Sequence, residues 1–306
     1  MAKKAIWGVG IVLFAVFLLP KAVWDIQKKA NPAILGSTIE QNVEKSELPH
    51  IKAAPELASA VPPPALLAKS AFALDPASST ILFTHNFDQE LPIASLTKLM
   101  TAIVVVESVD LNSAVTVKKS ATGVIGNSMG LVAGEKIRVA DLLSGMLISS
   151  SNDAALTLAD FVAGDSEKFV NLMNDRASKL NLAQTRFANP VGYDSQDNYS
   201  STRDLSLLVL EFMKHSALNE IAETREKVVF SIDGKRQHKL TTTNKLLLAD
   251  TRVVGIKTGF TSQAQGSLII RAKDGHRDVV TIVLDSPNRE GDSAALLKWI
   301  FDVYKW

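Results

Sequence analysis

The chain has 306 residues, 33 of them basic and 32 acidic, for a formal net charge of +1. That balance leaves no excess of positive charge for a polyanionic partner and argues against nucleic-acid binding. No cysteine is present, which excludes disulfides, a thiol nucleophile and thiolate-bound metals.

At the N-terminus Lys3 and Lys4 precede an apolar run from Ala5 to Pro20, the pattern of an export signal. Extended through Ala22, Val23 and Trp24 it reaches about 20 residues, enough to span a bilayer if Lys21 snorkels to the interface. No small-x-small cleavage pattern follows, so residues 1–29 are expected to be a signal that stays on as a membrane anchor, with Trp7 and Trp24 at its interfaces. Lys21, Lys28 and Lys29 run against this orientation, because they lie on the side expected outside. Residues 30–62 mix Ala, Pro, Glu, Gln and Ser without periodicity and run into Pro62-Pro63-Pro64, the composition of a semi-extended spacer.

The folded domain is expected over residues 63–306. Ser70 to Leu74 and Ile81 to His85 read as strands of a hairpin around Asp75-Pro76-Ala77-Ser78-Ser79. The stretch from Ser95 to Ala163 reads as mostly helical. Leu96, Leu99, Met100, Ile103 and Val104 recur at three and four residues, so a helix beginning near Ser95 buries one face. Further helices are expected at Val139 to Ile148, Asp153 to Val162, Glu167 to Leu180 and Thr202 to His215. Val228 to Ile232 and Lys239 to Thr242 flank Asp233-Gly234 as a hairpin. Val253 to Gly259, Ser267 to Ala272 and Asp278 to Leu284 read as a meander, closed by a helix from Asp292 to Tyr304. This order predicts an α+β fold in which one antiparallel sheet joins the two ends of the domain.

Three short strings carry chemistry: Ser95-Leu96-Thr97-Lys98, Ser150-Ser151-Asn152 and Lys257-Thr258-Gly259. Residues i and i+3 on a helix are neighbours, so Lys98 can reach the Ser95 hydroxyl and act as its base. To do so it must be neutral, which needs burial and a nearby cation such as Lys257. At the start of a helix, Ser95 would also have N–H groups to stabilise an oxyanion. Ser150 and Asn152 fall between two helical stretches, where a bend can turn both side chains into a cleft, although for that string taken alone helix capping is the better explanation. Lys257, Thr258 and the side-chain-free Gly259 lie on a strand whose edge can take an extended peptide and its carboxylate.

Ser-x-x-Lys alone is weak evidence, since a solvated, capped helix start explains it more often, whereas Lys-Thr-Gly is rarer, with an edge strand and a solvated lysine as its alternative. Gly126-Asn127-Ser128-Met129-Gly130 fits the G-x-S-x-G nucleophile elbow, but no strand-turn-helix context surrounds it, so it reads as a loop. The five histidines are scattered without metal-ligand spacing; no metal site and no cofactor are expected.

Taken together the strings resemble the D-alanyl-D-alanine carboxypeptidase family, the low-molecular-mass penicillin-binding proteins. The likeness extends to Pro63-Pro64-Ala65-Leu66, Pro92-Ile93-Ala94, Leu99-Met100-Thr101, Gly134-Glu135-Lys136, Asp153-Ala154, Phe187-Ala188-Asn189-Pro190, Tyr199 through Asp204 and Gly255 through Thr261. The resemblance implies a β-lactamase/transpeptidase-like fold: a central antiparallel sheet with flanking helices, plus a mostly helical subdomain. It implies that Ser95 attacks the bond between the terminal D-alanines of a peptidoglycan stem peptide, that Lys98 is the base and that Ser150 relays the proton. Asn152, Lys257, Thr258, Gly259 and Thr261 then hold the substrate, the backbone N–H groups of Ser95 and Phe260 form the oxyanion hole, and β-lactams acylate Ser95.

Ser151 stands where the family commonly has glycine, and Val191 and Asn198 replace common histidines. Many relatives carry a C-terminal β-domain and amphipathic anchor, for which nothing up to Trp306 provides, so attachment is expected from the N-terminus. The catalytic domain is then expected on the outer side of the cell membrane, or free outside it if the segment is cleaved. A class A β-lactamase would need a glutamate for deacylation, and Asn189 to Asp197 has none. An endopeptidase of the same family, cutting cross-links, is not separated from a carboxypeptidase by these residues. A non-catalytic penicillin- or muropeptide-binding module would show a damaged Ser, Lys or Asn, and none is damaged.

Overall fold

A five-stranded antiparallel sheet in the order β10-β11-β12-β2-β3 forms the spine of the computed structural model, which describes residues 54–306. Its strands are β2 (Ser70–Asp75), β3 (Thr80–His85), β10 (Val253–Thr261), β11 (Gln265–Asp274) and β12 (Arg277–Ser286). The N-terminal hairpin therefore joins the C-terminal meander, as the order of elements predicts. Central β2 and β12 are buried along nearly their whole length and read as continuous apolar runs, with Phe72 opposite Ile282 and Leu74 opposite Val280. The edges belong to β3 and β10.

One face of the sheet packs on helices. A 3₁₀ turn at Ala94–Thr97 leads into α1 (Lys98–Ser108), whose residues Lys98 to Val105 are all buried. A helix covered on every side belongs at the centre of a domain. Around it pack α2 (Val139–Ile148), α3 (Asn152–Ala163), α4 (Ser166–Lys179) and α5 (Thr202–Met213). Asp165 and Ser201 accept backbone N–H bonds from Lys168 and Asp204 and so start α4 and α5. The opposite face is closed by α8 (Arg289–Val303), whose Leu296, Leu297 and Ile300 meet Ala73, Leu268 and Ile270.

The structure departs from expectation in three places. Residues 109–138 are not helical beyond one 3₁₀ turn; they form a long loop pinned by β5 (Ala114–Thr116) against β6 (Lys136–Arg138). Two short helices, α6 (Ser216–Ala222) and α7 (Lys245–Ala249), are too brief to show periodicity in the sequence. The last part of the expected spacer is folded: β1 (Glu56–Leu57) pairs with β13 (Tyr304–Lys305), and the Trp299 indole N–H donates to Val61 O at 2.9 Å. The expected anchor, residues 1–29, and the spacer as far as residue 53 lie outside the described residues. Among the described residues no helix is long and apolar enough to cross a membrane.

Candidate active site

A cleft of about 470 Å³ opens where edge strand β10 passes the start of α1 and the α2–α3 junction. Ser95, Ser150, Asn152, Thr258, Gly259, Phe260 and Thr261 line it, and the two lysines lie beneath, Lys98 fully buried and Lys257 1 % exposed. All the residues singled out in the sequence thus meet at one groove.

Two glycines make the approach possible. Gly192 has φ +91°, and a Cβ there would lie 2.0 Å from Ala94 O and 2.9 Å from Ser95 N. On β10, a Cβ at Gly259 would lie 3.0 Å from Ile93 O and 3.3 Å from Ser95 N. Backbone therefore packs on backbone on either side of the serine turn, which fixes where the Ser95 hydroxyl points. Ala94 is itself left-handed, at φ +48°.

Lys98 Nζ lies 2.9 Å from Ser95 Oγ and donates to Val191 O at 2.6 Å. Burial, and then the charge of Lys257, hold its pKa well below the ordinary lysine value. A neutral amine keeps one lone pair, and with an N–H committed to Val191 that lone pair can take the proton of Ser95. The position where Val191 replaces histidine thus contributes through its carbonyl. Asn198, the other departure, donates to the Thr97 hydroxyl at 3.1 Å and so braces the turn.

Ser150 breaks the chain between α2 and α3 with φ +59°, and no side chain caps α3. Lys257 Nζ donates to Ser150 Oγ at 2.7 Å and to Thr258 O at 3.0 Å. Burial, with a smaller contribution from Arg289, lowers the Lys257 pKa to about 7. Burial thus favours the uncharged amine at a position where the sequence suggested a cation. Asn152 Nδ2 donates to Ile125 O at 2.7 Å, and the Tyr193 hydroxyl donates to the same carbonyl at 3.1 Å. The Thr258 and Thr243 hydroxyls are 2.5 Å apart, and the Thr261 hydroxyl accepts from Ala264 N at 3.0 Å.

Arg289 was not found by sequence reasoning. It lies 32 residues beyond Lys257, donates to Gly259 O at 2.6 Å and lines the cleft. It is paired with Glu290 at 3.0 Å and is the one charged side chain among the described lining residues, none of which carries a carboxylate. Such a groove suits an anionic ligand with an acyl carbon near Ser95. No histidine lines it.

The G-x-S-x-G string is a loop. The Ser128 hydroxyl donates to Asp153 at 2.7 Å, and the Met129, Gly130 and Leu131 N–H groups donate to the same carboxylate at 2.9–3.1 Å. Its serine secures a turn beside the groove.

A family model described as D-alanyl-D-alanine carboxypeptidase matches residues 57–288. The chain is 37% identical to the D-alanyl-D-alanine carboxypeptidase DacC of Escherichia coli over 257 residues, covering 79% of this chain and 63% of that protein. It is 32% identical to a D-alanyl-D-alanine endopeptidase of Pseudomonas aeruginosa, covering 79% and 82%. Among solved structures, the Streptomyces K15 DD-transpeptidase superposes with a TM-score of 0.76 at 29% identity, covering 79% of this chain and all of that one. The chain spans less than two thirds of the length of curated carboxypeptidase relatives such as those of Bacillus subtilis and E. coli. With the family model reaching from β1 to the threshold of α8, the chain belongs to the D-alanyl-D-alanine carboxypeptidase family.

Proposed function

We propose that this protein is a serine-type D-alanyl-D-alanine carboxypeptidase that trims peptidoglycan stem peptides through an acyl-enzyme on Ser95. The observation that carries this reading is the 2.9 Å contact between Ser95 Oγ and the buried Lys98 amine, whose pKa burial has lowered. Lys98 takes the hydroxyl proton as Oγ attacks the penultimate D-alanyl carbonyl. Ser150, backed by Lys257, passes a proton to the departing D-alanine amine. The Ser95 and Phe260 N–H groups face the developing oxyanion, while Asn152 holds the substrate amide. Lys257, Thr258, Gly259 and Thr261 receive the terminal carboxylate end, with Arg289 adding charge. Water then releases the acyl group, with Lys98 again accepting a proton. β-Lactams mimic the substrate and stop at the acyl stage.

Residues 63–306 serve as the catalytic domain, acting outside the cytoplasm, and residues 1–29 serve as its membrane attachment through the spacer. The test is labelling with a fluorescent penicillin. The unsubstituted chain forms a covalent adduct, Ser95→Ala forms none, and Ser128→Ala labels normally. An adduct that survives at Ser95→Ala and disappears at Ser128→Ala would overturn the assignment. The endopeptidase relative supports a second reading, cleavage of D-alanyl cross-links in the same groove. Free D-alanine released from a pentapeptide supports the first reading; monomers released from cross-linked muropeptides support the second.

A further inference from the structure

The hairpin of β8 (Glu226–Phe230) and β9 (Gln237–Thr241) carries apolar side chains on both of its faces. A two-stranded sheet lying on a domain normally turns apolar side chains inward and polar ones outward. Here the buried side includes Ser231 and His238 beside Val229 and Leu240. The solvent side presents Val228, Phe230 and Ile232, which are 42 %, 50 % and 49 % exposed. These three form one stripe at alternate positions, with Lys239 opposite Val228 and Gln237 opposite Phe230. A contiguous apolar stripe on a solvent face is the kind of feature that marks an interaction site.

The stripe is held firmly in place. His238 lies buried with Nε2 2.6 Å from Glu135 and Nδ1 2.8 Å from Met129 O, and Ile232 N donates to Lys136 O at 2.8 Å. Between the hairpin tip and residues 133–136 lies a pocket of about 430 Å³, with Lys136 and Arg236 on its lining beside Ser231. Asp233 and Glu135 also line the pocket, Asp233 engaged by Lys235 and the Ser231 hydroxyl and Glu135 by His238. Lys136 and Arg236 have no ion-pair partner among the described residues.

We propose that this hairpin docks on an anionic lipid bilayer: Val228, Phe230 and Ile232 enter the head-group boundary, and Lys136 and Arg236 take a lipid phosphate in the adjoining pocket. An apolar stripe bordered by Lys235, Arg236, Lys239 and Lys136 has the composition of an interfacial membrane site, and its charge complements acidic lipids. A second copy is the poorer occupant, because three half-exposed side chains fall far short of the roughly 800 Å² per partner of a stable interface. The inference does not depend on the chemistry of the Ser95 groove.

The absence of cysteine makes the test clean, since Gln237→Cys gives a single labelling position on the hairpin face that leaves the stripe intact. The full chain, fluorescently labelled there, is reconstituted in phosphatidylglycerol–phosphatidylcholine vesicles containing nitroxide lipid, and in phosphatidylcholine vesicles alone. A second sample carries the label at Lys298→Cys on α8. The expected result is strong quenching at 237 in the acidic vesicles only, reduced by added salt, with little at 298. In the K136E/R236E variant that quenching falls about tenfold, with an unchanged melting temperature. Should that variant fail to fold, the salt dependence of the unsubstituted hairpin decides. Absent quenching at 237, equal quenching in neutral and acidic vesicles, or equal quenching at 237 and 298 overturns the proposal. Energy transfer between labelled copies in detergent also overturns it, assigning the stripe to a second copy.

Discussion

Gly192→Ala offers the most direct test of how the serine turn is held. The new Cβ would fall 2.0 Å from Ala94 O and 2.4 Å from Ala94 C, so the backbone must yield by more than about 1 Å to restore an ordinary contact. A displacement of that size at a reacting group costs on the order of 10²-fold in rate. The change also forces alanine into a left-handed conformation, which alone costs about 1–2 kcal/mol. Gly164→Ala separates the two effects: Gly164 ends α3 at φ +87° with no atom within 4 Å of its would-be Cβ. At about 2–4 °C per kcal/mol for a domain of this size, Gly164→Ala should lower the melting temperature by about 2–8 °C and leave acylation intact. Gly192→Ala should melt lower still and acylate about 100-fold more slowly, read as the second-order rate of adduct formation with fluorescent penicillin. Equal acylation rates for the two variants would refute the claim that backbone packing at Gly192 sets the serine's position.

Lys98→Arg puts a permanently protonated guanidinium where the site needs a neutral amine with a free lone pair; acylation measured by stopped flow should fall by about 10²–10⁴-fold. In the unsubstituted protein the rate should decline as pH drops through the lowered Lys98 pKa, well to the acid side of an ordinary lysine. Lys257 titrates at about 7 in the folded chain against an ordinary value of 10.5, so between those limits the unfolded chain binds more protons and stability rises with pH. Lys257→Met should therefore flatten the pH dependence of urea unfolding and stabilise the protein at pH 7 by about 1–3 kcal/mol, after the lost bonds to Ser150 and Thr258 are counted, while abolishing turnover. An unchanged slope between pH 7 and 10 would contradict this. Asp153→Asn turns an acceptor of five N–H and O–H bonds into a group with only one acceptor oxygen. A loss of about 2–4 kcal/mol is expected, with faster amide exchange at Met129 to Leu131.

The parts of the site that depend on local spacing were visible in the sequence. Ser95 and Lys98 sit one helical turn apart, Ser150 and Asn152 flank a break between two apolar helices, and Lys257 to Gly259 continue a β-branched run. What escaped notice depends on contacts across the fold. The Val191 carbonyl that receives the Lys98 amine has no side-chain signature, and Arg289 reaches Gly259 from the start of another element. Residues 109–138 fall inside Ser95 to Ala163, which reads as mostly helical in sequence, with only Gly126 to Gly130 read as a loop. Gly123, Gly126, Gly130 and Gly134, all at positive φ, mark them as a loop, and that signal was present in the chain. The pairing of β1 with β13 joins residues almost 250 positions apart through two-residue strands, far below what periodicity can reveal.

That same pairing governs how the domain would respond to tension from its N-terminal side. A pull along residues 54–66 would peel β1 from β13 and free Val61 from the Trp299 indole before reaching β2. Thirteen residues drawn out at about 3.4 Å each would span at most about 44 Å, of which the already extended β1 contributes no gain. The two-residue pairing is thus the first part of the domain to yield to such a pull, ahead of the sheet that holds the groove at Ser95.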